Sequence, residues 1–83
     1  MSMDKAEVME KVREHLAAEL EVGEDQIAEG TRFREDLDAD SLDLYELVME
    51  LEDTYGITVS EQQAAGIATV GDAVEFVLEH APA

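Results

Sequence analysis

The chain has no cysteine. That excludes a disulfide framework and a thiolate zinc site, and it leaves the polypeptide no thiol nucleophile, so any thiol chemistry must use a borrowed sulfur. Bases are scarce as well: five Lys and Arg stand against 22 Asp and Glu, for a formal net charge of −17 over 83 residues. All five (Lys5, Lys11, Arg13, Arg32, Arg34) lie before residue 35, so residues 1–34 carry net −4 and residues 35–83, with thirteen acids and no base, net −13. A surface of one sign attracts basic partners and offers no basic footprint to nucleic acid. No apolar run approaches a membrane span, and the start Met1-Ser2-Met3-Asp4-Lys5 resembles neither a secretory signal nor a presequence. A cytoplasmic location is the expectation.

Catalytic and nucleotide signatures are also missing. Neither a GxGxxG nor a GxxxxGK[ST] pattern is present. The only histidines, His15 and His80, fall in opposite terminal helices and in no motif, so Ser41 has no evident base to activate it. The run Asp36, Asp38, Asp40, Asp43 alternates partly, but a loop starting at Asp36 lacks the glycine and glutamate of a calcium hand. Weak surface binding of cations is the most it suggests, and no dedicated metal site is expected. The reading is a non-catalytic protein.

The 46% hydrophobic content is that of a globular chain, and 83 residues suffice for one domain, 1–83, with a thin core. Asp4 caps a first helix to about Glu19, with Val8, Val12, Leu16 and Leu20 at i, i+4 on one stripe, and Gly23 reads as its stop. The polar stretch 24–40 offers Ile27, Phe33 and Leu37 as anchors to the core. Asp40 or Ser41 opens a second helix, with Asp43 completing a capping box and Gly56 following Tyr55 as its stop. Ser60 caps a brief turn through Ala65, and Thr69 or Gly71 opens a last helix with Val70, Ala73, Val74, Val77 and Leu78 inward. The fold class is all-α: a small bundle of three main helices plus a short fourth.

The second helix carries two apolar stripes. Leu44, Leu47, Val48, Leu51 and Tyr55 are spaced for the core. Leu42, Tyr45, Glu46, Met49, Glu52 and Asp53 share a different face that interleaves large apolar side chains with carboxylates. Periodicity leaves two readings of it open: packing against a terminal helix, or a docking surface for basic partners built around a flexible Met.

Asp40-Ser41-Leu42 and the acidic helix from Asp43 to Asp53 resemble the attachment site of bacterial acyl carrier proteins. Phe33-Arg34-Glu35-Asp36-Leu37 is similar to the run that leads to that site, Glu46-Leu47-Val48-Met49 to the family's recognition helix, and Ala68-Thr69-Val70-Gly71-Asp72-Ala73-Val74 to the start of its last helix. The resemblance implies that Ser41 carries 4′-phosphopantetheine, installed from coenzyme A by a phosphopantetheinyl transferase (holo-acyl carrier protein synthase). It further implies a monomer that holds acyl groups as thioesters and delivers them to basic-surfaced fatty acid synthase enzymes. Asp40, Leu42, Asp43, Glu46, Met49, Glu52 and Asp53 match positions where the family meets its partners. Alternatives are a carrier of a polyketide or other secondary pathway, and an unmodified acidic interaction module in which Ser41 is only a helix cap. Asp38 stands where the family usually has glycine, Glu50 where a small residue is frequent, and Tyr45 is bulkier than the usual aliphatic.

Overall fold

The computed structural model describes residues 4–81; Met1–Met3 and Pro82–Ala83, on which the reading of the two termini partly rests, lie outside the described residues. Four α-helices follow one another: α1 (Lys5–Leu20), α2 (Ser41–Tyr55), α3 (Glu61–Ala65) and α4 (Val70–His80), with a 3-10 turn at Glu24–Gln26 in the long α1–α2 connection. The bundle of three longer helices and a short fourth is the expected one. Each start is fixed by a local side chain. The Asp4 carboxylate accepts from Ala6 N–H. Asp40, Ser60 and Thr69 each accept from the residue three ahead, whose side chain in turn accepts from the cap's own N–H. Three reciprocal capping boxes in so short a chain explain why the starts are legible in the sequence.

Val8, Val12 and Leu16 of α1, Leu47 and Leu51 of α2, and Val70, Ala73, Val74 and Val77 of α4 form one buried cluster. α1 packs chiefly on α4 and also on α2, so these stripes face one another. A fully buried aliphatic side chain of this size contributes about 1.5–3 kcal/mol. Leu20, Leu44, Tyr55 and Leu78 pack at the margin of the cluster, half-buried.

The end of α1 differs from expectation. Gly23 does not stop the helix; Glu21 does, in the left-handed conformation (φ 55°), with its N–H donating to Ala17 O. α2 ends as expected at Gly56, which has φ 66°.

The α1–α2 connection is pinned rather than loose. Ile27, Phe33, Leu37 and Ala39 are buried along it. Phe33 N–H donates to Ala68 O (3.1 Å) and Val70 N–H to Thr31 O (2.9 Å), an isolated antiparallel bridge that ties the connection to the start of α4. Gly71 N–H donates to Glu29 O at 2.7 Å, and a Cβ on Gly71 would stand 2.9 Å from that oxygen. Glycine is therefore required there by close approach.

Candidate functional site

The segment before α2 is held from several sides. Arg32 N–H donates to Asp36 Oδ2 (2.8 Å), and its guanidinium meets both Asp36 oxygens at 3.3 and 3.1 Å. That guanidinium holds the Asp36 carboxyl below the usual carboxylate range. Ala39 N–H donates to Phe33 O at 2.9 Å, closing the loop, while Phe33, Leu37 and Ala39 anchor it in the core. Asp38 adopts φ 55°. This is the left-handed region, which glycine enters most readily; aspartate is among the few L-residues that tolerate it.

Out of this frame Ser41 emerges as the first residue of α2, exposed to solvent. It is not the helix cap. Asp40 is, accepting from Asp43 N–H at 3.0 Å while Asp43 Oδ2 accepts from Asp40 N–H at 3.2 Å. The Ser41 hydroxyl is thus left free of capping, and its oxygen accepts from Arg34 Nη2 at 2.9 Å. A cleft of about 260 Å³ opens beside it between the loop, α2 and α3, with Phe33, Leu44, Ala65 and Ile67 among its walls. A smaller hollow of about 80 Å³, lined by Arg34, Ser41, Leu44, Tyr45, Ala64 and Ala65, adjoins the serine. No imidazole serves Ser41: the His80 ring stacks on Phe76 with its Nδ1 3.0 Å from Phe76 O, and His15 sits on α1.

The outer face of α2 is uncovered. Leu42 is 63% exposed, Tyr45 46% and Met49 63%, so the reading in which they pack against a terminal helix is overturned. Glu46 and Asp53 are exposed beside them. Glu52 is only half-exposed, and its Oε2 accepts from Val59 N–H at 2.9 Å, fastening the α2–α3 link. That carboxylate has a structural task in addition to its place on this face.

Two features escaped the sequence. Arg34 meets Ser41 across seven residues of irregular chain, which no periodicity reveals. Glu19, at the end of α1, brings its carboxylate within 4.8 Å of those of Asp43 and Glu46. Hydrogen bonding with Glu46, followed by loss of hydration and by the negative field of Glu46 and Asp43, raises the Glu19 carboxyl to about 6. The aspartate run 36–43 does not converge in this way: Asp36 is spent on Arg32, and Asp40 and Asp43 cap α2.

The model of the phosphopantetheine attachment site family matches residues 10–77. The acyl carrier protein of Rubrobacter xylanophilus is 46% identical over 78 residues, covering 94% of this chain and 96% of that one. That of Lactobacillus acidophilus is 42% identical, over 94% and 98%. The chain belongs to the acyl carrier protein family. A solved acyl carrier protein from Enterococcus faecalis, described for its high thermal stability, superposes with a TM-score of 0.82 at 34% identity, covering 95% of this chain and all of the other. Acyl carrier proteins are carriers and not catalysts, and the domain bears covalently attached 4′-phosphopantetheine. The residues around Ser41 fit such a group. An exposed hydroxyl at a helix N-terminus, beside a guanidinium and an apolar-floored cleft, suits a phosphodiester followed by a slender chain. Among the described residues no helix is long and apolar enough to cross a membrane.

Proposed function

We propose that Ser41 is the attachment residue, and that the protein carries acyl groups as thioesters on its 4′-phosphopantetheine arm and presents them to the enzymes of fatty acid synthesis. The observation that carries this reading is the uncapped, solvent-facing Ser41 hydroxyl at the head of α2, opening onto the α2–α3 cleft. In the loading step Ser41 Oγ bonds to the phosphorus of coenzyme A that bears the pantetheine, the bond from that phosphorus to the adenosine bisphosphate leaving group breaks, and the hydroxyl proton goes to a base. No imidazole lies beside Oγ, and the base is assigned to the transferring enzyme. The bound arm supplies the thiol that the sequence lacks.

Delivery uses the face next to the serine. Leu42, Tyr45 and Met49 form an apolar centre, rimmed by Asp40, Asp43, Glu46 and Asp53, with Glu52 at the margin. Such an arrangement fits enzymes with a basic surface: charge speeds the encounter and the apolar centre slows departure. The strongly acidic surround favours the fatty acid pathway over a peptide-carrying one.

Intact mass after incubation with coenzyme A, magnesium and a broad-specificity phosphopantetheinyl transferase tests the site. The parent should gain one arm and Ser41→Ala none. A Ser41→Ala chain that is still modified, or a parent that gains nothing, overturns the assignment. Loaded protein supplied to reconstituted fatty acid synthesis enzymes should then be elongated; elongation by polyketide synthase components alone would move it to that pathway.

A further inference from the structure

Arg34 is an anomaly in the charge distribution. In a chain of net charge −17, its guanidinium makes no ion pair among the described residues and donates instead to a neutral hydroxyl, Ser41 Oγ, at 2.9 Å. Three of the other four bases are occupied: Lys5 with Glu29, Arg13 with Glu10 and Ile27 O, Arg32 with Glu35 and Asp36. The fourth, Lys11, lies in a groove with Thr54 and Tyr55, at the opposite end of α2 from Ser41. Arg34 also lines both the cleft and the smaller hollow, together with Leu44 and Ala65.

We propose that Arg34 is a positioning residue for the arm: its guanidinium holds the phosphodiester formed on Ser41 and directs the chain that follows toward the Leu44–Ala65 wall of the cleft. This rests on Ser41 being the attachment residue. Esterification places phosphorus on Oγ and the non-bridging phosphate oxygens two bonds beyond it, within the neighbourhood that the guanidinium already occupies. A neutral hydroxyl is then replaced by an anion, and a planar fork of donors suits phosphate oxygens better than a point charge does. The dipole of α2 acts in the same direction. Of the described residues lining the cleft Arg34 is the only cation, while Glu35 and Asp40, which also line it, disfavour the anion's swinging their way.

The test uses the loaded full chain as parent, Arg34→Gln, Arg34→Lys and Lys11→Gln, each confirmed by intact mass. Failure of the parent to take up the arm defeats the attachment reading and is seen before Arg34 is examined. On loaded protein, phosphorus NMR across a salt titration reports the phosphodiester, and arm-to-protein NOEs to Leu44 and Ala65 report its direction. The parent's phosphorus shift should depend on salt, and Arg34→Gln should weaken that dependence and reduce the held population about two- to five-fold, as for an exposed charge pair. Arg34→Lys should fall between them, and Lys11→Gln, the same charge change elsewhere, should match the parent. Identical phosphorus shifts and NOEs in parent and Arg34→Gln, or an equal effect of Lys11→Gln, would overturn the proposal.

Discussion

The two faces of α2 both carry large apolar side chains and meet opposite fates. Leu47 and Leu51 join Val8, Val12 and Leu16 in the core, while Leu42, Tyr45 and Met49 on the other side of the same helix stand in solvent. Both sets have the spacing of a helical stripe, and only the outer one is interleaved with carboxylates. What differs is cover: α1 lies over one face, where Leu47 and Leu51 join its stripe and that of α4 in the core, whereas among the described residues Leu42, Tyr45 and Met49 on the other stay exposed. An uncovered apolar stripe framed by carboxylates gains nothing for the fold, which is why it reads as a surface kept for partners.

The sharpest way to break this comparison is to truncate one residue on each face. Leu47→Ala should cost about 2–5 kcal/mol in urea or thermal unfolding, enough to threaten a domain of this size. Met49→Ala should stay within about 0.5 kcal/mol of the parent. Equal losses would mean that the outer face is structural after all.

Docking should show the reverse order. Met49→Ala should weaken binding to a basic partner enzyme by more than about 1 kcal/mol, chiefly through faster dissociation. Glu46→Lys should slow association and flatten its dependence on salt. Stopped-flow traces indistinguishable from the parent in both variants would remove the functional meaning of the exposed face.

The head of α2 refines the picture within a single turn. Asp40→Ala, which removes the cap, should cost about 1 kcal/mol, whereas Ser41→Ala removes only an exposed bond with Arg34 and should be close to neutral. Paired denaturant melts check the contrast; a larger loss from Ser41→Ala would make the serine a structural residue.

The smallest effect concerns pH, and here two acidic regions diverge. Hydrogen bonding with Glu46, then loss of hydration and the negative field of Glu46 and Asp43, raises the Glu19 carboxyl from 4.5 to about 6, so the folded state binds the extra proton. Its contribution is present below about 4.5 and is lost as pH rises through about 6. Asp36, lowered from 3.8 by Arg32, contributes in the opposite sense: its share is present above that value and is lost as pH falls through its depressed folded value. Melting temperatures of Glu19→Gln should therefore be flatter than the parent's between pH 4.5 and about 6 and unchanged in the acid limb. A parallel profile would mean that the Glu19, Asp43 and Glu46 carboxylates are relieved by solvent.

Helix starts, the stop at Gly56, the anchors Ile27, Phe33 and Leu37 and the core stripes were readable from sequence alone, because each follows from a rule spanning about one helical turn: a cap three residues from its partner, an apolar repeat, a glycine where φ turns positive. The stop of α1 was not, since Glu21 accepts a left-handed conformation that glycine would take more readily, and Gly23, two residues on, plays no part in it. What the sequence determined, then, was a set of amphipathic helices and a serine left at the head of the second. Only the tertiary structure decided which stripe of α2 is covered, that Arg34 reaches Ser41, that Glu19 meets Asp43 and Glu46, and that Glu52 turns to Val59. Those outcomes depend on how whole helices and a pinned loop are laid against one another, and no short-range rule encodes the meeting of side chains that the chain keeps apart in sequence.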